Sequence, residues 1–181
     1  MTEQLRVLPV HPLPEHLPDP TAWRLDIGGV VRNPAKLNLP SIQGLPNEYL
    51  DAPFRCEDGW EVKNLRWRGV GLVRLLSEAV PEPDARFVAV HAGNFIAVLP
   101  LDDARRQSAL LAWELNGVPL PVEHGGPLRL VMFGAVCYES VKWVQRLELR
   151  TTPGKATARH IALTRIGQAT GSGSTPTEDR A

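Results

Sequence analysis

Cysteine is scarce in this 181-residue chain: Cys56 and Cys137 are the only two. They could form one disulfide, too few for a disulfide-stapled secreted scaffold. Excess charge is also missing, since 20 Lys and Arg face 20 Asp and Glu. A neutral chain lacks the basic footprint of a nucleic-acid binder. No stretch approaches the ~18 consecutive apolar residues needed to cross a bilayer. The opening Met1-Thr2-Glu3-Gln4-Leu5-Arg6 has no twin-arginine pair and no basic segment leading into an apolar one. These absences predict a soluble, cytoplasmic protein with no nucleic-acid partner and no membrane span. The length suits one domain with a substantial core.

What is present is a run of short elements. Pro-rich Val7 to Pro20 reads as part of an extended arm over 1–22, because proline removes backbone donors and fixes φ. Trp23 to Ile27 alternates apolar and polar residues as a strand does. Leu39-Pro40-Ser41-Ile42 predicts a short helix, and Val70 to Ala79 a longer one with a broad apolar face, ended by Pro81. Arg86 to His91 and Phe95 to Leu99 flank the turn residues Ala92-Gly93-Asn94. Pro100 to Arg106 reads as a helix with its acids first and its bases last. Leu110 to Leu115, Asn116-Gly117 and Val118 to Leu120 form a second hairpin signal. Leu128 to Phe133, Lys142 to Leu149 and Ala158 to Thr164 are further strand candidates. From Gly167 the chain turns to Gly, Ser, Thr and Pro, which predicts a disordered tail over 166–181. The expected class is α+β, with a domain over 23–165 and no βαβ alternation.

Three segments carry chemistry. Cys56 sits in Phe54-Arg55-Cys56-Glu57-Asp58-Gly59-Trp60, ahead of Trp67-Arg68-Gly69-Val70-Gly71. Taken alone it reads as a buried thiol, the usual state of an unpaired cysteine. Leu110 to Pro121 is the connecting hairpin. The third segment runs His124-Gly125-Gly126-Pro127-Leu128-Arg129, then Ser140-Val141-Lys142-Trp143. It offers cations, a hydroxyl and glycines, the groups that accept a phosphate and let backbone approach it. Together, and in this order, the three segments resemble the sulfite-oxidase superfamily of molybdopterin enzymes from about Trp23 to Leu149.

That resemblance implies a sulfite-oxidase-type fold and a molybdenum-molybdopterin cofactor. It implies Cys56 as the thiolate metal ligand, a soft donor suited to molybdenum. It further implies His124, Arg129, Ser140, Val141 (through its backbone) and Lys142 as pterin and phosphate contacts. Ala92, or its neighbour His91, falls near another such contact. Arg55, beside Cys56, is the candidate cation for an oxyanion. The implied reaction is oxygen-atom transfer on a small-molecule substrate, often at sulfur, as in sulfite oxidases and sulfoxide reductases, with an electron-transfer partner of unknown kind. A non-catalytic domain that kept the fold is the alternative. The sequence departs from the family at Glu139, where a further lysine is common, and in the arm, where Arg6, His11 and His16 are alternatives for a missing contact. Trp60, Trp67, Trp143 and Cys137 read as structural, since large aromatics dominate buried area.

Overall fold

The computed structural model describes residues 8, 10, 19, 21–55, 59–106 and 108–171, without the side chains of 166–171. Cys56 therefore lies outside the described residues, as do Arg6, His11, His16 and 172–181.

Strands β1 (Leu25–Gly29) and β2 (Ala35–Leu37) come first among the elements, followed by helix α1 (Leu39–Gln43), whose first turn is capped by the Asn38 side-chain Oδ1 accepting from Ser41 N–H. Next come β3 (Glu48–Asp51), the small hairpin β4 (Phe54–Arg55) and β5 (Glu61–Val62), β6 (Arg66–Gly71) and helix α2 (Leu72–Ala79). The helix predicted from Val70 thus starts two residues later, because Val70 and Gly71 finish a strand. Gly69 explains why: a Cβ there would lie 2.2 Å from the Leu111 carbonyl oxygen, so this strand must cross its neighbour without a side chain.

Strands β7 (Phe87–Ala92) and β8 (Phe95–Pro100) form the expected hairpin, followed by helix α3 (Leu101–Ala104). Asp103 pairs with Arg106 at 2.7 Å across that helix end. Then follow β9 (Ala109–Leu115), β10 (Val118–Pro119), β11 (Arg129–Met132), β12 (Arg146–Arg150) and helix α4 (Ala158–Gly171). Helix α4 corrects the strand predicted at Ala158 to Thr164, and it runs into the stretch expected to be tail.

One sheet has the order β2-β1-β12-β7-β8; the other runs β10-β9-β6-β3, with β11 also paired to β9. The main core fills the space between the sheets and the helices, from Leu25 and Val88 to Leu111, Leu130, Val141 and Leu147. A second cluster, Phe54, Val62, Leu65, Trp67, Leu110, Ala112, Leu115 and Val131, covers the other face of the β9–β6 sheet beneath the β4–β5 hairpin. The pleat of β11 divides its side chains: Leu130 and Met132 join the first cluster and Val131 the second. Arg129, two residues from Val131, points the same way as Val131. No helix among the described residues is long and apolar enough to cross a membrane.

Candidate functional site

The register of β11 sends a cation into an apolar cluster. Arg129 is 4% exposed, its guanidinium 4.6 Å from the centre of the Phe54 ring and 5.5 Å from that of Trp67. Ring faces attract a cation there. One Nη donates to the His124 carbonyl oxygen at 3.1 Å, while Nε has no partner among the described residues. Burial pulls this guanidinium down to about 10, partly offset by nearby Cys137. A buried cation with an unused donor is costly unless an anion completes it.

The turn that carries His124 is built around two glycines. Gly125 has φ +107, and a Cβ on it would sit 3.0 Å from Cβ and Cγ of Lys142. The turn therefore lies directly against the lysine stem. Trp143 closes the other side in a left-handed conformation, φ 56, unusual for a bulky residue. Two bonds hold it there: its backbone N–H to Gly125 O at 3.1 Å and its indole Nε1 to Val122 O at 2.6 Å. Lys142 is left half-buried, with Nζ donating to Glu123 O at 2.9 Å. Its ammonium is pushed down to about 7, by burial first and then by the charges of Arg129 and Arg165, with Glu123 acting in the opposite sense.

Ser140, 7% exposed, accepts the Met132 backbone N–H at 3.0 Å, so its own proton is still available to donate. Val141 is fully buried, and its carbonyl accepts from Leu130 N–H at 2.8 Å. The structure thus brings His124, Arg129, Ser140, Val141 and Lys142 into one neighbourhood.

The remaining candidates are placed differently. Arg55, on β4, is exposed and donates from Nε to Glu61 at 2.7 Å, an ion pair that holds the Glu61 carboxyl below its usual range. His91 and Ala92 alternate across β7. The His91 imidazole turns to the charged face, 3.1 Å from Glu148, which Arg150 and Arg146 also engage. Burial lowers the affinity of His91 for a proton despite that carboxylate. Ala92 faces the core instead. The hairpin is tied to the Lys142 segment through Gln145, whose N–H donates to His91 O and whose side-chain oxygen accepts from Gly93 N–H.

Trp67, which with Phe54 forms an aromatic wall against the buried guanidinium, and Trp143, which fixes the lysine, go beyond the packing role read for them from the sequence. Their signal was proximity in sequence to Cys56 and Lys142. That Arg129 would meet these rings could not be read without the strand register.

The chain matches the family model described as an oxidoreductase molybdopterin binding domain over residues 11–158. It is 32% identical over 131 residues to the uncharacterized oxidoreductase YuiH of Bacillus subtilis, covering 72% of this chain and 66% of YuiH. It is 30% identical over 158 residues to the protein-methionine-sulfoxide reductase catalytic subunit MsrP of Gluconobacter oxydans, covering 77% and 48%. Sulfite oxidase of Arabidopsis thaliana is 28% identical over 174 residues, covering 76% and 44%. The chain spans about two thirds of YuiH and less than half of the other two. The fold is similar to that of sulfane dehydrogenase SoxCD from Paracoccus pantotrophus, with a TM-score of 0.71 at 24% identity over 77% of this chain and 41% of that one.

Proposed function

The chain belongs to the family of sulfite-oxidase-type molybdopterin-binding oxidoreductase domains, and on that premise we propose that it is a molybdenum-dependent enzyme transferring an oxygen atom to or from a small, sulfur-containing substrate. The observation that carries the reading is the Arg129–Lys142 pair: a buried guanidinium with an unused Nε, next to a half-buried ammonium bonded to a carbonyl. Two cations concentrated in a low-dielectric site fit a phosphate, which accepts charge-assisted hydrogen bonds from both. The residues present therefore suit the anionic end of the cofactor.

In this reading Arg129 and Lys142 hold the phosphate, Ser140 donates its free proton to the pterin, and Gly125 lets the backbone of the His124 turn lie close to it. His124 and the Val141 backbone line the same site. Ala92 borders it from the β7–β8 hairpin, while His91 is committed to Glu148. Cys56 supplies the thiolate. When bound, the molybdenum cofactor supplies the two-electron oxygen-atom chemistry. Arg55 reaches a substrate oxyanion only by exchanging its Glu61 partner for the substrate.

The test is the cofactor content of the full chain, purified from a host that makes molybdopterin. Molybdenum and pterin near one equivalent are expected, with Cys56→Ser folding normally but inactive. Wild-type protein that stays free of both, where a known family member loads, would falsify the proposal and leave a non-catalytic domain.

A further inference from the structure

Helix α4 begins at Ala158, where the match to the family model ends. It is fastened at its start: Thr157 N–H donates to Ile96 O, the Thr157 hydroxyl donates to Asn94 O, and that hydroxyl accepts from Ile96 N–H. From there the helix packs on β8 and on the 3-10 turn Cys137–Glu139, which leads directly into Ser140-Val141-Lys142. Its inward stripe is legible from burial. Ala158 is buried, Ile161 and Ala162 are half-buried, and Arg159, His160, Leu163 and Thr164 are exposed. Arg165 lies at the spacings i+7, i+4 and i+3 from those inward residues, so it continues their stripe. Its guanidinium is exposed at the end of a stem rooted on the packed face, as long basic side chains often are.

The charge of Arg165 is felt at the site, being the third cause, after burial and Arg129, that holds the Lys142 ammonium down to about 7. Among the described residues no carboxylate forms a salt bridge with Arg129, Lys142 or Arg165, although the protein pairs eleven other cation–acid combinations. Three cations from β11, the Lys142 segment and α4 thus act on one neighbourhood, and among the described residues only the more distant Glu123 carboxylate and Cys137 oppose them, without a direct ion pair. Like charges brought together this way disfavour one another's charged form, as the lowered Lys142 value records, and an anion between them would relieve that cost.

We propose that Arg165 is a third arm of the anion site, closing on the phosphate of the pterin beside Arg129 and Lys142, so that α4 acts as a cofactor-retaining element. The proposal rests on the molybdopterin reading for the identity of the phosphate, though not for the existence of the anion site. Arg165 contributes after the pterin is seated, because its exposed head is the one cation of the three with freedom to swing. The other two are pinned by His124 O and Glu123 O.

Two arms test this. Cofactor-free full-length protein, made in a host unable to synthesise molybdopterin, is titrated with inorganic phosphate and pyrophosphate by thermal shift. Cofactor-loaded protein is passed through gel filtration in high salt, and retained pterin is measured by fluorescence. Arg165→Gln is expected to weaken phosphate binding roughly tenfold, the worth of one charge-assisted hydrogen bond, and to lose pterin faster than wild type. Arg165→Lys should recover part of both, and Arg159→Gln, on the outward face, should change neither. If Arg165→Gln matches wild type in both arms while Lys142→Ala loses phosphate and pterin, the role of Arg165 is overturned and the cofactor reading stands. If wild type carries no pterin from a competent host, the cofactor reading fails, and the phosphate titration alone then decides whether Arg165 belongs to an anion site.

Discussion

Lys142 shows how one residue can record a missing partner. Its free ammonium titrates near 7 instead of its ordinary 10.5, chiefly because burial disfavours the charge. A lysine whose folded value lies below its unfolded one costs stability wherever both states are protonated, so the full penalty is present below pH 7. Between about 7 and 10.5 the unfolded chain binds the extra proton, and stability rises with pH. Cofactor-free wild type should therefore gain stability from pH 7 to pH 9 relative to Lys142→Met, measured by urea unfolding at each pH. Equal slopes would show that Lys142 is solvated. Loading reads the same residue from the other side. Arg129→Ala and Lys142→Ala should each cut pterin content severalfold, and Lys142→Arg should restore only part, because the guanidinium differs from the ammonium in shape and hydration. Full pterin in both alanine variants would place the phosphate elsewhere.

Glu139 bears on substrate choice at the same scale. It is half-buried in the turn directly before Ser140, where the sequence resemblance leads one to expect a lysine. A carboxylate about 4–8 Å from the substrate would oppose a dianion such as sulfite by roughly 4–8 kcal/mol at an effective dielectric of ~20, and would leave a neutral sulfoxide or N-oxide unaffected. Reduction of such oxides with a viologen donor should exceed sulfite oxidation with ferricyanide, and Glu139→Lys should shift the ratio toward sulfite. Sulfite turnover that is efficient in wild type and unchanged in the variant would sink this.

At the scale of elements, the Gly125 turn is the part most sensitive to a single methyl. Gly125→Ala would place a Cβ 3.0 Å from the lysine stem at a φ of +107 that side chains rarely adopt. A loss of roughly 1–3 kcal/mol is expected, together with weaker cofactor loading, seen by thermal unfolding and pterin assay. A fully loaded, equally stable variant would mean the turn relaxes freely. Elements with a strong local signal were legible in advance. Asn116-Gly117 marks the β9–β10 turn, and Asp102 and Asp103 open α3 as expected. Short apolar runs were not. Ala158 to Thr164 resembled a strand because two apolar residues, Ile161 and Leu163, alternate; the spacing Ala158, Ile161, Ala162 and Arg165 decides for the helix. Strand β6 was hidden because Val70 also fits the following helix, and only the contact of Gly69 with the Leu111 carbonyl separates the two. Of the site, the Gly-x-Pro-x-Arg and Ser-Val-Lys segments were legible as chemistry. That Arg129 would lie against the rings of Phe54 and Trp67 was not, since the register of β11 against β9 fixes which face it enters.

Across the whole molecule, the proposed anion site is the place where the two cores meet. Arg129 stands among the aromatics of the second cluster, while Val141 and Val144, on either side of Lys142 and Trp143, belong to the first. Both clusters are closed by apolar residues without help from a ligand, so the cofactor-free chain is expected to fold. It folds, though, with a buried guanidinium that forms no salt bridge among the described residues and a lysine whose charge burial disfavours. A cofactor present at 1,000 times its dissociation constant stabilises the folded state by about 4 kcal/mol through mass action. For a chain of this size, about 1 kcal/mol moves the melting temperature by roughly 2–4 °C. The loaded protein should therefore melt roughly 8–16 °C above the cofactor-free form, and the gap should shrink in Arg129→Ala, where the phosphate loses its buried partner. Differential scanning calorimetry of both forms, at one protein concentration and pH, reads this directly. If the gap is as large in Arg129→Ala as in wild type, the cofactor binds without drawing on the buried cation between the two cores, and the site must be reassigned.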